Sequence, residues 1–236
     1  MTPNVFYDLL EHTWPAASYQ RHGPWLIREG KDGGQRVSAT TAEAAVKDAD
    51  IAQAEAAMQA LGQSPLFMVR HSDAVLDGLL AARGYHRHDP VVIYAAPVAA
   101  LATATPSAMT AFPVWPPLNI VAQIWAEAGI GPGRLAVMER VVGPKTSILG
   151  RISDRASGVA FVACHGNAAM LHALEVCPNL RRQGSANNIL RMAAIWAHNQ
   201  GAEHLYLAVT AANDSARKLY ASLGMEVVGK YHYRRK

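Results

Sequence analysis

Apolar positions in the second half of the chain follow a helical spacing first and a strand-like spacing afterwards. Residues 118–129 (LNIVAQIWAEAG) predict a short amphipathic helix that ends at Gly129. The run RLAVMERVV fits a helix or a strand, because periodicity alone does not separate the two. Three strand-like runs follow, TSILGRI, GVAFVACH and AAMLHALEV, and a Gly166-Asn167 pair typical of a hairpin turn joins the last two.

The remainder of this half predicts a helix, a strand, a second helix and a final strand. An apolar stripe at helical spacing crosses residues 186–197, and Gly201 ends it. HLYLAVT is apolar enough for an interior strand. Asn213 can cap the next helix, and Gly229 indicates a bulge in the last strand, MEVVGKYHYR. This element order predicts an α/β fold of the α+β type, built on a mixed sheet.

The first half repeats the end of this pattern. DADIAQAEAAMQALG and DAVLDGLLAARG predict helices, PLFMVR and YHRHDPVVIYAAP predict strands, and GPWLIREG with QRVSATTAEA predicts a strand pair. Aligning Gly84 with Gly224 places Leu79 on Leu219. We interpret this as a weak internal duplication, with two unrelated domains that share common units as the alternative.

A composition change divides the chain. Residues 97–117 are rich in Ala, Pro and Thr without a sustained period, which predicts a linker between domains at 1–96 and 118–236. The start of the chain lacks the basic-then-apolar pattern of a signal peptide. The most apolar stretch contains three prolines, which argues against a membrane span and a membrane partner.

Composition and charge narrow the class of protein. Half of the 236 residues are hydrophobic and 17% are charged, which predicts a globular chain with a core. A net charge of +4 suits an anionic ligand but is weak evidence for nucleic acid, and the basic end GKYHYRRK is interpreted as a solvated tail. Cys164 and Cys177 have no paired spacing, so we expect no metal site, reduced thiols and a cytoplasmic location.

The turn RRQGSA, residues 181–186, is the clearest candidate for chemistry. It connects a predicted strand to a predicted helix, and Gly184 permits a tight backbone there. Unpaired N–H groups at a helix start form a concave nest that favours an anion, and two arginines add positive charge. The pattern indicates phosphate or diphosphate, although Gly-containing turns of this kind are common.

Two motifs resemble the Gcn5-related N-acetyltransferases (GNAT). The first, LEVCPNLRRQGSA, resembles the acetyl-CoA signature of that family with Val176, Pro178, Arg181, Gly184 and Ala186. The second, NDSARKLYASLGM, resembles a later family stretch with Asn213, Ala216, Tyr220 and Gly224. The resemblance covers residues 118–235 and implies the GNAT fold, in which a mixed sheet parts between two central parallel strands.

The resemblance also implies roles for individual residues. Acetyl-CoA would be the co-substrate, with its pantetheine along the backbone of Leu174, Glu175 and Val176 and beside Asn213. Its diphosphate would lie in the loop made of Arg182, Gln183, Gly184, Ser185, Ala186 and Asn187, and Arg181 would also bind the cofactor. Tyr220 would be the general acid at the sulfur, with a core aromatic as the plainer alternative.

The implied activity is transfer of an acetyl group by direct attack of a primary amine of a small molecule or amino acid. A non-catalytic acyl-CoA-binding sensor or scaffold is the alternative. The general base is His172 or Glu175, and alternation along a strand predicts that the two face opposite sides. His172 is preferred, because it matches the second of two histidines that relay the proton in arylalkylamine N-acetyltransferases and because imidazole titrates near working pH. Met170 occupies the position of the first of those histidines.

The first half lacks both motifs, and Leu80 takes the place of Tyr220 in the internal alignment. We therefore expect two tandem GNAT-like domains, of which the N-terminal one is degenerate. It would pack against the active half or cover the acceptor.

Overall fold

The computed structural model describes residues 3–107 and 109–236. In chain order the first elements are α1 (Pro3–Thr13), β1 (Ser18–His22), β2 (Trp25–Glu29), α2 (Gln35–Ser38), β3 (Thr41–Ala42), α3 (Asp48–Ala60), β4 (Leu66–Arg70), α4 (Ala74–Ala82), β5 (His86–Pro97), α5 (Val98–Leu101) and β6 (Ala111–Val114). The later elements are α6 (Asn119–Glu127), α7 (Pro132–Arg140), β7 (Lys145–Ile152), β8 (Arg155–His165), β9 (Ala168–Val176), α8 (Ser185–Asn199), β10 (His204–Thr210), α9 (Asp214–Ser222) and β11 (Glu226–Arg235).

A mixed eight-stranded sheet has the order β4-β11-β5-β10-β9-β8-β7-β6. Neighbouring strands are antiparallel except β9 and β10, which are parallel. One apolar core packs α1, α6 and α7 against one face, and a second packs α5, α8 and α9 against the other. A smaller sheet, β1-β2-β3, contacts the main one through a parallel bridge between Thr40 and Phe67. The mixed α/β fold agrees with the sequence prediction.

Most predicted elements of the second half are confirmed. The helix predicted over 118–129 is α6, the ambiguous run RLAVMERVV belongs to the helix α7, and the Gly166-Asn167 pair forms the hairpin between β8 and β9. Gly229 lies at a register shift in β11, as predicted for a bulge.

Three sequence interpretations are wrong in detail. The predicted linker at 97–117 contains the helix α5 and the strand β6. β6 is an edge strand of the main sheet and pairs with β7. QRVSATTAEA is not one strand, since its start forms α2 and only Thr41–Ala42 pairs with β2. The basic end is not a solvated tail. It belongs to β11, where Tyr231 and Tyr233 are buried and Arg234 binds Asp77 at 2.7 Å.

The two halves of the chain share the main sheet. β5, from the first half, lies between β10 and β11, which come from the second. Thr210 of β10 pairs with Val91 of β5. Arg70 lies 140 positions before Thr210 and Tyr231 lies 140 positions after Val91, and these two residues also form an antiparallel pair, between β4 and β11. The helices α4 and α9 differ by the same shift. The shift that aligns Gly84 with Gly224 in sequence therefore also relates the strand pairings at the centre of the sheet.

The parallel strands β9 and β10 separate part-way along their length. They pair only between 168–171 and 204–207. Just beyond the last pair, Ala173 has a φ of +51° and β9 contains a bulge, since Ala160 of β8 lies opposite both Ala173 and Leu174. The Trp125 indole N–H donates to the Ala173 carbonyl at 2.9 Å and holds this irregular backbone. The parting leaves an open edge on each strand.

No helix within the described ranges is both long and apolar enough to cross a membrane.

We predict that Trp125→Phe lowers the free energy of unfolding by about 1–3 kcal/mol, because the partly buried Ala173 carbonyl loses its donor. Trp125 is fully buried, so the change also removes packing. Chemical denaturation measures the effect. Trp196→Phe is the matched control, since no described residue accepts a hydrogen bond from that half-buried indole. Equal losses in the two variants would contradict the prediction.

Candidate active site

Two clefts meet where β9 and β10 part. The first, here called the α8 cleft, has a volume of about 660 Å³ and runs from β9 along the turn before α8 to α9. The second, here called the inner cavity, has a volume of about 370 Å³ and lies between β9, β10, β11, α2 and α7. Leu174, Glu175, Asn213 and Tyr220 line both. A molecule lying in one cleft can therefore reach a molecule lying in the other at these four residues.

The start of α8 is open toward the α8 cleft. Gly184 has a φ of +86°, and no side chain caps the helix. The first helical hydrogen bond runs from the Asn188 N–H to the Gly184 carbonyl at 3.0 Å, so the N–H groups of 185–187 precede the helical ladder. Arg182 also has a positive φ, +63°. Turns of this kind direct successive N–H groups into a concave site for an anion.

The structure brings ten of the eleven predicted cofactor residues to the α8 cleft. They are Leu174, Glu175, Val176, Arg181, Arg182, Gly184, Ser185, Ala186, Asn187 and Asn213. Gln183 is exposed and does not line it. The Ser185 hydroxyl is buried against Ser157 at 2.7 Å, so only the backbone of Ser185 is suited to a ligand.

Sequence reasoning assigned a role to Tyr220 of α9 but not to the other residues of that helix that line this cleft. Ser215, Ala216, Lys218, Leu219 and Ser222 line it in addition to Tyr220. Lys218, on α9, supplies a further cation to this cleft. Spacing along a helix could have indicated it, since Lys218 and Ser222 are four positions apart and share a face.

Tyr220 is buried at the junction of the two clefts. Its ring contacts the Tyr94 ring at a centroid distance of 5.5 Å. Burial raises the pKa of Tyr220 to about 12, and the charge of Glu175 and the neighbouring Tyr94 act in the same direction. The hydroxyl therefore keeps its proton at neutral pH and is a hydrogen-bond donor.

His172 is buried in the wall of the inner cavity, and both of its ring nitrogens form hydrogen bonds. Arg36 can only donate, so it donates to Nδ1 at 3.3 Å, and Nδ1 must be the acceptor nitrogen. Nε2 lies 3.0 Å from the Thr13 hydroxyl, which itself donates to the Leu9 carbonyl, so Nε2–H is the donor. Burial and then the Arg36 charge hold the pKa of His172 well below its ordinary value. This ring has no free lone pair with which to accept a proton.

Glu175 lines the same cavity as His172, which corrects the expectation that the two face opposite sides. The bulge at Ala173 adds one residue between them and restores their alternation to a common face. Burial raises the pKa of Glu175 above its ordinary 4.5, although Arg181 and Arg134 lower it in part. The carboxylate is thus a stronger base than an exposed glutamate.

The first half of the chain supplies much of the inner cavity, which sequence reasoning did not resolve. Trp14, Gln35 and Arg36 line it, and the Trp14 ring stacks on His172 at a centroid distance of 4.7 Å. The second guanidinium in its wall belongs to Arg134. No single-sequence signal marks these residues, because they meet β9 only through tertiary packing.

A separate cluster brings Asp8, His12 and His165 together at the surface. Their potential ligand atoms lie within 4.8 Å of one another. The two imidazoles stack at a centroid distance of 3.6 Å with planes 6° apart, so their in-plane lone pairs do not converge on one point. This arrangement favours a stacked pair beside a carboxylate over a coordination site, and the expectation of no metal stays a prediction.

Comparison with known proteins agrees with the resemblance that the two sequence motifs indicate. Residues 140–225 match the acetyltransferase (GNAT) family. The comparisons support an acetyltransferase of the GNAT superfamily. The N-acetyltransferase YobR of Bacillus subtilis, itself described as uncharacterized, is 24% identical over 233 residues, which is 94% of each chain.

Solved structures show the same fold. A GCN5-related N-acetyltransferase from Kribbella flavida has a TM-score of 0.74 at 18% identity, over 99% of this chain and 94% of that one. A tandem GNAT protein from the clavulanic acid biosynthesis pathway has a TM-score of 0.60 at 16% identity, over 84% and 74% of the two chains. GNAT enzymes generally use acetyl-CoA, and the enzyme assignment is favoured over the sensor alternative.

We predict that Gly184→Val weakens binding of acetyl-CoA at least tenfold, which is about 1.4 kcal/mol. An added Cβ meets no protein atom within 4 Å, but a φ of +86° strains any L side chain, and the N–H groups that follow would lose their orientation. Isothermal titration calorimetry measures the change.

Gly201→Val is the control, because Gly201 follows the same helix at its other end with a φ of +85° and equally open surroundings. It should bind acetyl-CoA like the unaltered protein. Equal affinities in both variants would mean that the turn before α8 is only structural.

Proposed function

We propose that the protein transfers an acetyl group from acetyl-CoA to a primary amine of a small molecule or amino acid, by direct attack. The observation that carries this proposal is the junction of the α8 cleft and the inner cavity, where Glu175 and Tyr220 line both. One cleft suits the donor and the other suits the acceptor. A base and a hydrogen-bond donor stand between them.

The α8 cleft fits the donor molecule. The open N-terminus of α8 and Arg182 suit a diphosphate, and the edge of β9 that faces away from β8 offers backbone groups to an extended amide chain. Acetyl-CoA supplies an activated acyl carbon and a thiolate leaving group when it is bound. Lys218 is placed to bind a further phosphate oxygen from the α9 side.

Glu175 is the proposed base, in preference to His172. Its carboxylate takes a proton from the attacking amine as the new carbon–nitrogen bond forms and the carbon–sulfur bond breaks. The raised pKa of this carboxyl brings it closer to that of the amine and favours the transfer. His172 holds the wall of the cavity, because its two nitrogens are already hydrogen-bonded.

Tyr220 is the proposed donor to the departing sulfur. A thiol has a pKa of roughly 8.5. The phenol, with a pKa of about 12, is therefore better suited to donating a hydrogen bond than to a complete proton transfer. This refines the role of general acid that the family resemblance implies.

We also propose that the first half is a degenerate GNAT-like domain. The shift of 140 positions that relates the pairings of β4 with β11 and of β10 with β5 supports two related units. The fold likeness to a tandem GNAT protein supports it as well. In this arrangement the first half contributes β5 to the main sheet, and its helix α2 covers the acceptor.

Tyr220→Phe should lower kcat about 10²-fold or more, because it removes a hydrogen bond made to the departing sulfur. Affinity for acetyl-CoA should change little, since backbone groups make most of the proposed contacts. Thiol release measures turnover once an amine screen has provided an acceptor. Tyr94→Phe is the control, as Tyr94 contacts Tyr220 but lines neither cleft. Full turnover in Tyr220→Phe would return this residue to the role of a core aromatic.

Glu175→Gln should lower kcat/KM about 10²-fold or more, whereas His172→Gln should lower it less than tenfold. The base must be ionised, so activity falls as pH drops through the pKa of Glu175, which lies above 4.5. The kcat/KM of the unaltered enzyme is divided by the kcat/KM of Glu175→Gln at each pH. Ionisation of the acceptor amine affects both values equally and cancels, so this ratio reports the ionisation of Glu175. The ratio should rise with pH and then level off. A ratio that is independent of pH, or an acid limb lost only in His172→Gln, would contradict Glu175 as the base.

A further inference from the structure

Two guanidinium groups line the inner cavity without an ion-pair partner among the described residues, those of Arg36 and Arg134. Among the described residues, no carboxylate oxygen lies within 4 Å of the guanidinium nitrogens of Arg36 or Arg134, although other arginines of the chain form such pairs. Asp89 also lines the cavity, but it binds the Gln35 amide at 3.0 Å and His88 at 3.0 Å. Glu175 lines the cavity too, and the charge of Arg134 lowers the pKa of its carboxyl in part, but it forms no ion pair with either arginine.

The guanidinium of Arg36 is fixed by hydrogen bonds to uncharged groups. Its guanidinium donates to His172 Nδ1 and to the Ala208 carbonyl, each at 3.3 Å, and so joins β9 to β10 at the point where they part. Burial disfavours its charge, but Tyr231 and Tyr233 outweigh this effect, and the pKa of Arg36 lies above its ordinary value. The cation therefore persists and is orientated in advance.

A partly buried cation without an ion-pair partner indicates an anionic ligand. Taking a charge out of water is unfavourable unless another charge or several hydrogen bonds compensate for it. The guanidinium fork is suited to a planar carboxylate, which it can bind through two parallel hydrogen bonds. The volume of about 370 Å³ limits the guest to a small molecule.

We propose that the acceptor is an amino carboxylate, whose carboxylate is bound by Arg36 while its amine lies at Glu175. This inference rests on the proposed function for the identity of the reacting amine. Arg36 is then a specificity-determining residue contributed by the first half of the chain. Arg134 adds positive potential from beside Gly34, the residue that precedes α2.

Binding of products tests the proposal without reference to turnover. A panel of N-acetyl amino acids and their matched N-acetyl amino acid amides is titrated into the CoA-bound protein and followed by thermal shift and calorimetry. We expect the acids to bind at least tenfold more tightly than the amides. Arg36→Gln should abolish that difference, and Arg36→Lys should retain part of it. Arg151→Gln removes a surface arginine paired with Asp154 and should bind like the unaltered protein.

Equal affinities for acids and amides would overturn the proposal, as would an unchanged preference in Arg36→Gln with the fold intact by circular dichroism. A preference for aminophosphonate or aminosulfonate analogues over the carboxylates would overturn the carboxylate assignment.

A parallel screen of thiol release compares amino acids, their amides and the corresponding decarboxylated amines. Carboxylate binding that depends on Arg36, without thiol release from any acceptor, would contradict the proposed function and leave the anion site standing. Thiol release that is equally fast with decarboxylated amines would contradict the present inference alone.

Discussion

The parting of the parallel strands β9 and β10 is the constraint on which the candidate site depends. Two adjacent parallel strands normally satisfy each other's backbone groups along their whole length. Here the pairing stops at Leu171 and Leu207, and the bulge at Ala173 directs β9 away from its neighbour. The Trp125 indole satisfies one carbonyl at this irregular point. Both clefts open from the gap, and the bulge sets the directions of His172 and Glu175.

Burial and charge then distribute the roles at the junction. Two ionisable groups of β9 share one face, yet their surroundings push their pKa values in opposite directions. Burial and an adjacent arginine keep His172 neutral, while burial makes Glu175 more basic. Groups whose environments separate them in this way are typical of sites for proton transfer. Arg36, whose charge adds to burial in keeping His172 uncharged, is also the residue that we propose as the carboxylate ligand.

The sharing of strands between the halves makes the first half necessary for the second. β5 pairs on one side with β10 and on the other with β11, so the C-terminal sheet is incomplete without it. The same arrangement fixes α2 over the inner cavity and places Arg36 within hydrogen-bonding distance of β9 and β10. A half without a cofactor turn can therefore still determine which acceptor is used. Its side chains form one wall of the cavity that lies where β9 and β10 of the second half part.

Features that depend on local chemistry could be predicted from the sequence. Periodicity predicted the helices and strands of the second half, and the Gly184 turn with its following helix indicated an anion site. The two motifs indicated the resemblance to GNAT enzymes and singled out Tyr220 as a candidate, because their residues lie in short, continuous segments. Tertiary structure decided the rest. A bulge depends on pairing with a neighbouring strand, so alternation in sequence gave the wrong relation between His172 and Glu175. Arg36 meets His172 from 136 positions away, and only packing of the two halves brings a cation, a neutral imidazole and a carboxylate to one cavity.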